Sequence, residues 1–337
     1  MKVALAVSSC ILLGVAMVSL CIGPVIHHGI EIGWGVPHGA IFNLRMARIL
    51  AAAIVGASLS LAGVYLQNLL RNPLADPYVL GLSGGASLGV VIWIFIIAAI
   101  SHFTALPHWL SVLLSAGHTL PSFLGAGVAV TTCFWLGRRR GSGFIDPVRL
   151  ILAGVIISTI AGALMLLINS FLPTYDQNRI YFYLFGYISE ITPIWLLLLG
   201  TLVLLIAWGL GLINARRLDI ASLSDIEAAS LGVSMHRMRM LNFVVSSALT
   251  ATAVAIAGPI GFVGLICPHI SRRLIGPDHR KLLTIAPILG AALLIAADLI
   301  TRISAMELNH PIPVGVMTAL IGGPLFLYLM RDKIGWR

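Results

Sequence analysis

Between Ile49 and Leu66 the chain reads "ILAAAIVGASLSLAGVYL" without a charge, and runs of this kind recur along its length. About 20 apolar residues in helical form cross the hydrocarbon of a bilayer. Ten candidate spans follow, over 3–23, 46–69, 79–100, 110–137, 149–172, 191–213, 240–257, a short 260–274, 282–304 and 313–330. The runs are continuous rather than alternating, which excludes a closed barrel of tilted strands. Composition agrees: 59% of the 337 residues are hydrophobic and 10% are charged, against roughly 25% charged in soluble domains. The expected fold is therefore an all-α integral membrane protein, about ten transmembrane helices in one compact bundle, occupying residues 1–337 as a single domain.

Charge sorts the two faces. With the first residue inside, 17 of the 21 Lys and Arg fall on one side of the map. The exceptions are Arg45, Arg48, Arg179 and Arg302. Positive charge collects on the cytoplasmic side, so both termini are expected there. The net charge of +9 then reflects orientation rather than nucleic-acid binding. Removing the short eighth span would scramble this sorting. "GFVGLICPHISRR" (261–273) is thus expected to be a real half-length helix whose inner end is marked by Arg272 and Arg273. The N-terminal run lacks a clean small-residue cleavage site and reads as a retained first span. Cys10, Cys21, Cys133 and Cys267 show no metal or disulfide spacing and read as small hydrophobes.

Small residues recur every four positions, at Ala52, Gly56 and Ser60 and again at Gly81, Gly85 and Gly89. Such rows let helix backbones approach closely where lipid provides no hydrophobic drive between helices. No Walker-type phosphate loop occurs. If ATP drives this chain, a partner binds it. No buried carboxylate relay is visible, as an ion-coupled transporter would need, and no catalytic constellation points to an enzyme. The outer histidines His27, His28, His38, His102, His108 and His310 lack ligand spacing.

The largest polar stretch, 214–240, lies on the cytoplasmic side. Ser224 and Glu227 fit a capping box, Gly232 a helix C-cap, and Ser234 the cap of a second short helix. Ala228, Ala229 and Gly232 lie between. On the residues alone, a solvated loop and a docking surface both remain open.

Four ordered segments, "RMARILAAAIVGASLSLAGVYLQNLLRNPLADPYVLGLSGGASLG", "GPIGFVGLICPHISRR", "LLIAADLITR" and "PVGVMTALIGGPLFLYL", resemble the signatures of the iron-chelate, haem and vitamin B12 uptake permeases. These are the membrane subunits of type II ABC importers. The resemblance implies ten transmembrane helices in the bacterial inner membrane and a second permease copy across a central pathway. It further implies two ATPase subunits below, which hold ATP and Mg, and a periplasmic substrate-binding protein above. The chain itself would hold no cofactor or metal and catalyse nothing. Arg45, Arg48 and Arg302 would pair with the binding protein's carboxylates. Helices about 219–239, with Ser224, Glu227, Ala228, Ala229, Leu231, Gly232 and Val233, would couple to the ATPases. Pro147 and Val148 would form the inner gate. Gly84, Gly85 and Ser87, with Arg179, would line the pathway, and His269 of the Pro-His pair would be structural. Tyr183 and Tyr187 stand where relatives often carry a Trp and a Gly-Ser pair, and "ELNHPIPVG" departs from the usual Glu-Leu-Pro-Val-Gly. These departures bear on substrate, which stays open between metal chelates and an oxyanion of molybdate type; a secondary transporter is the rival in another class.

Overall fold

A computed structural model describes residues 2–26, 30–35, 37–103, 117, 119–138, 146–308 and 312–334. Among them are twelve helices. α1 covers Lys2–Cys21, α2 Ala40–Leu70, α3 Leu82–Phe103, α4 Thr119–Gly137, α5 Pro147–Asn169 and α6 Thr174–Leu184. α7 covers Ile194–Ala221, α8 Asp225–Ser230, α9 Met235–Ala257, α10 Val263–Ile275, α11 His279–Leu308 and α12 Val314–Ile334. Eight of them are long and apolar enough to cross a membrane. α10 and the apolar part of α12 are shorter and complete the ten expected segments.

The spine is α2. Its 31 residues extend about 46 Å, and it is the most buried of the candidate spans. α11, α9, α10 and α7 pack around it, and α1 lies against α11. The small-residue row explains this closeness. Gly56 of α2 and Gly290 of α11 meet backbone to backbone, and the Ser60 hydroxyl donates to the Ala286 carbonyl at 2.7 Å. The Tyr65 hydroxyl, fully buried, donates to the Ala207 carbonyl of α7 at 2.6 Å. A second seam joins α3 to α4, where Gly85 and Gly89 face Gly125 and Pro121; α5 packs on the other side of α3.

α10 answers the question its sequence poses. Its 13 residues rise about 20 Å, short of a hydrocarbon core of about 30 Å. It starts after Phe262, held in the left-handed region at φ 70°, a conformation uncommon outside glycine. It is not a free lipid-facing rod, because Gly264 lies on the backbone of α2 at Gly63. The Arg272 guanidinium donates to Gln67 Oε1 at 2.6 Å.

Three features differ from the expected map. α2 and α9 begin several residues earlier, at Ala40 and Met235. A hairpin of β1 (Ile22–Ile26) and β2 (Ile30–Trp34) pairs antiparallel after α1. It was hidden because apolar residues continue out of the first span. The short α6 lies between two expected spans, in a stretch to which no span was assigned.

Candidate functional site

On the side expected to face the cytoplasm, α8 packs against the ends of α7 and α9. Ser224 caps it: the hydroxyl oxygen accepts from the Glu227 N–H at 3.2 Å, and Glu227 Oε2 accepts from the Ser224 N–H at 3.0 Å. The Ser224 hydroxyl also donates to that carboxylate at 2.7 Å. Hydrogen bonds from the Ser224 hydroxyl and N–H hold the Glu227 carboxyl below its ordinary value. The helix ends at Gly232 (φ 77°), whose N–H donates to the Ala229 carbonyl at 3.0 Å.

The seven residues expected to couple divide between two faces. Ser224, Glu227, Ala229, Leu231 and Gly232 are exposed. Ala228 and Val233 are buried against the bundle, Val233 in a cluster with Leu218 and Met238. They seat α8 rather than offer it. The sequence reading missed the apolar residues on the open side, Leu223 and Ile226, the latter 84% exposed. Leu223 is the residue before the cap, where a hydrophobic group often accompanies a capping box; no comparable sequence signal marks Ile226. Also missed was Asp225, which pairs with Arg71 at 2.7 Å and with Arg239 at 2.9 Å.

At the other end of α2, Arg45, Arg48 and Arg302 are brought together, but not as free surface charges. Each is 7% exposed or less. Arg48 Nε donates to both oxygens of Asp298 at 3.0 and 3.1 Å, and Nη1 pairs with Glu190 at 3.0 Å. Its guanidinium also lies over the Tyr187 ring, 5.6 Å from the centroid. Arg302 pairs with Asp298 at 3.3 Å and donates to Ser19. Arg45 donates to the Leu20 carbonyl at 2.8 Å, under Gly23 of the hairpin. Guanidinium groups this deep need an internal counter-charge. Asp298, 1% exposed, provides it. Glu190 is the open rim, its side chain 46% exposed.

The expected pathway residues do not converge. Gly84 rests on Ser158 of α5, Gly85 on Gly125 and Ala129 of α4, and Ser87 is buried. Gly84 thus lies in a helix-packing seam. Gly85 also borders a groove of about 780 Å³ lined by residues such as Ile92, Trp93, Leu124 and Ile157. Its apolar lining suits hydrocarbon rather than a charged solute. Pro147 and Val148 open α5, capped by Asp146, whose carboxylate accepts from the Val148 N–H at 3.0 Å. Val148 is 73% exposed. Arg179 lies on α6, and its side chain falls outside the described residues. His269 is buried within α10. Among the described residues no cluster of three His, Cys, Asp or Glu could hold a metal.

Known proteins match this arrangement along nearly all of its length. The chain is 37% identical over 316 residues to the cobalamin import system permease of Halobacterium salinarum, covering 89% of this chain and 76% of that one. It is 36% identical over 289 residues to the hemin transport system permease of Yersinia pestis, covering 86% and 82%. A solved structure of a metal-chelate type ABC transporter in an inward-facing conformation superposes with a TM-score of 0.80 at 32% identity, over 98% of both chains. The model of the FecCD transport family matches residues 4–332, and this multi-pass membrane protein belongs to that family.

Proposed function

We propose that the chain is the permease of an ATP-driven importer in the bacterial inner membrane, carrying a metal chelate received from a periplasmic binding protein. The names of its relatives support an iron–siderophore, haem or cobalamin as substrate. ATP and Mg are bound by two partner ATPase subunits, and the bundle alternates between outward- and inward-open states. A second copy of this chain completes the pathway. The exposed apolar residues along α5, among them Leu152, Ile156 and Ile160, support a face that meets protein or lipid rather than water, and Val148 at its inner end suits the gate.

The observation that carries this reading is α8. A six-residue helix is too short to hold itself together in water. Here a capping box and a buried underside hold it, and two partly exposed ion pairs orient it, while Ile226 and Leu231 project outward. A rigid apolar knob on the cytoplasmic face suits insertion into a cleft of a soluble subunit. On the opposite face, docking would bring a binding protein's carboxylates to Arg45, Arg48 and Arg302, entering at the exposed Glu190 rim and competing with Asp298.

Co-purification with the cognate ATPase tests the knob. Ile226→Asp and Leu231→Asp each place a charge where a hot spot is expected, and such changes cost about 2–4 kcal/mol. Affinity for the ATPase then falls at least about thirtyfold, with the permease still monodisperse in detergent. Unchanged co-purification of both variants contradicts docking at α8.

A further inference from the structure

The last turn of α2 touches more elements than its length requires. Asn68 Nδ2 donates to the Leu218 carbonyl of α7 at 2.8 Å and lies 3.2 Å from His279 Nε2 at the start of α11. Asn68 Oδ1 accepts from Asn242 of α9 at 2.8 Å. His279 Nδ1 lies 2.7 Å from Asp219 of α7, whose carboxylate also accepts the His279 backbone N–H. Donation from Nδ1–H to Asp219 leaves Nε2 as the acceptor for Asn68, so one neutral tautomer satisfies the row. Asn68, Asn242 and His279 are all buried. Gln67, one residue earlier, holds Arg272 of α10. Arg71, just beyond the turn, donates to the Ala221 carbonyl and pairs with Asp225 of α8. Asp225 is shared with Arg239 of α9.

We propose that this turn is the joint through which displacement of α8 enters the bundle, with Arg71 and Arg239 as positioning residues that act through Asp225. The inference rests on the reading of α8 as the ATPase-coupled helix. Asp225 is the first residue of that helix, and its two partners are Arg71, which caps the end of α2, and Arg239 of α9. A pull on α8 therefore loads both at once. The row of buried Asn68, Asn242 and His279, closed by the partly exposed Asp219, ties α2, α7, α9 and α11 together, so those four inner ends move as a unit. α2 and α11 are then locked along their length, by the Gly56–Gly290 contact and the Ser60 bond at mid-depth and by Arg48 and Asp298 at the outer end. Two helices fixed at three levels behave as one beam. Motion delivered at Arg71 reaches Arg48, Tyr187 and Glu190 on the far side. Because the Asp225 pairs are partly exposed, they contribute little to stability; their orientation accounts for their place at this joint.

The test uses the permease in complex with its ATPase, with Cys10 and Cys21 replaced by alanine and Ser189→Cys, beside Glu190, as reporter. The probe is a membrane-impermeant maleimide, applied from the outer side with and without ATP and vanadate. In the parent complex, trapping is expected to change the labelling rate at least about fivefold, the lower range of allosteric coupling. Arg71→Gln with Arg239→Gln should abolish that change, with the ATPase still bound and hydrolysis within about twofold of the parent, since exposed pairs carry little stability. Arg71→Lys with Arg239→Lys, which keeps the charge, should restore the response. A Gln double variant that responds like the parent overturns the joint. So does one that loses the ATPase, which would make the arginines docking residues. A parent complex indifferent to nucleotide overturns instead the ATPase-coupled reading beneath it.

Discussion

Replacing Asp298 with alanine is expected to cost about 3–5 kcal/mol of stability, because it leaves two guanidinium groups buried without their shared counter-charge. Arg48 and Arg302 are each nearly inaccessible, and both converge on this one carboxylate. Glu190 reaches Arg48 alone and is half-exposed, so it does not replace Asp298. The midpoint of thermal unfolding in detergent should fall sharply, and Asp298→Asn, which keeps the shape and removes the charge, should fall with it. The triple change Arg48→Met, Asp298→Leu and Arg302→Met should recover most of the loss, since apolar groups of similar volume often replace a buried ionic cluster at little cost. A single alanine variant that melts with the parent would show that the cluster does not close the outer end of the bundle.

The second large effect is expected at Gly63. A methyl group built there overlaps the backbone carbonyl of Gly264. No side-chain rotation can relieve it, because the neighbour is backbone. Gly63→Ala must push α10 away from α2, and overpacking of this kind costs about 1–3 kcal/mol or more. It also moves Arg272 from Gln67 and disturbs the turn that contacts α8. Gly127 and Gly162 provide the control: nothing lies within 4 Å of a methyl at either. Alanine there should be neutral or stabilise the helix by up to about 1 kcal/mol. Equal melting behaviour of all three alanine variants would refute the close α2–α10 contact.

The spans were legible because twenty apolar residues in helical form have few alternatives, and the bundle follows from them. The spacing of Ala52, Gly56 and Ser60 correctly marked a packing face, although only the fold shows that its partner is Gly290. The short α10 was legible through charge: Arg272 and Arg273 had to lie inside. The span map also placed Arg45, Arg48 and Arg302 on the outer side, against the general sorting of charge. It could not show that they face inward, because Arg48 and Asp298 are 250 residues apart and no local periodicity reports such a pair. The four-residue spacing of Asp298 and Arg302 was a visible hint of an internal ion pair. In α8 the capping box was readable, but not which side of so short a helix lies against the bundle. That depends on Val233 and Met238 folding under it.

The proposed function requires a bundle that does no work alone and is moved from the cytosol through α8. Its most direct test is uptake of the chelate retained by the cognate binding protein, measured in vesicles holding the permease, its ATPase and that binding protein. Accumulation is expected only with hydrolysable ATP on the α8 side, and should vanish with Ile226→Asp or when the ATPase is omitted. Accumulation by the permease alone, driven by an ion gradient without nucleotide, would contradict it.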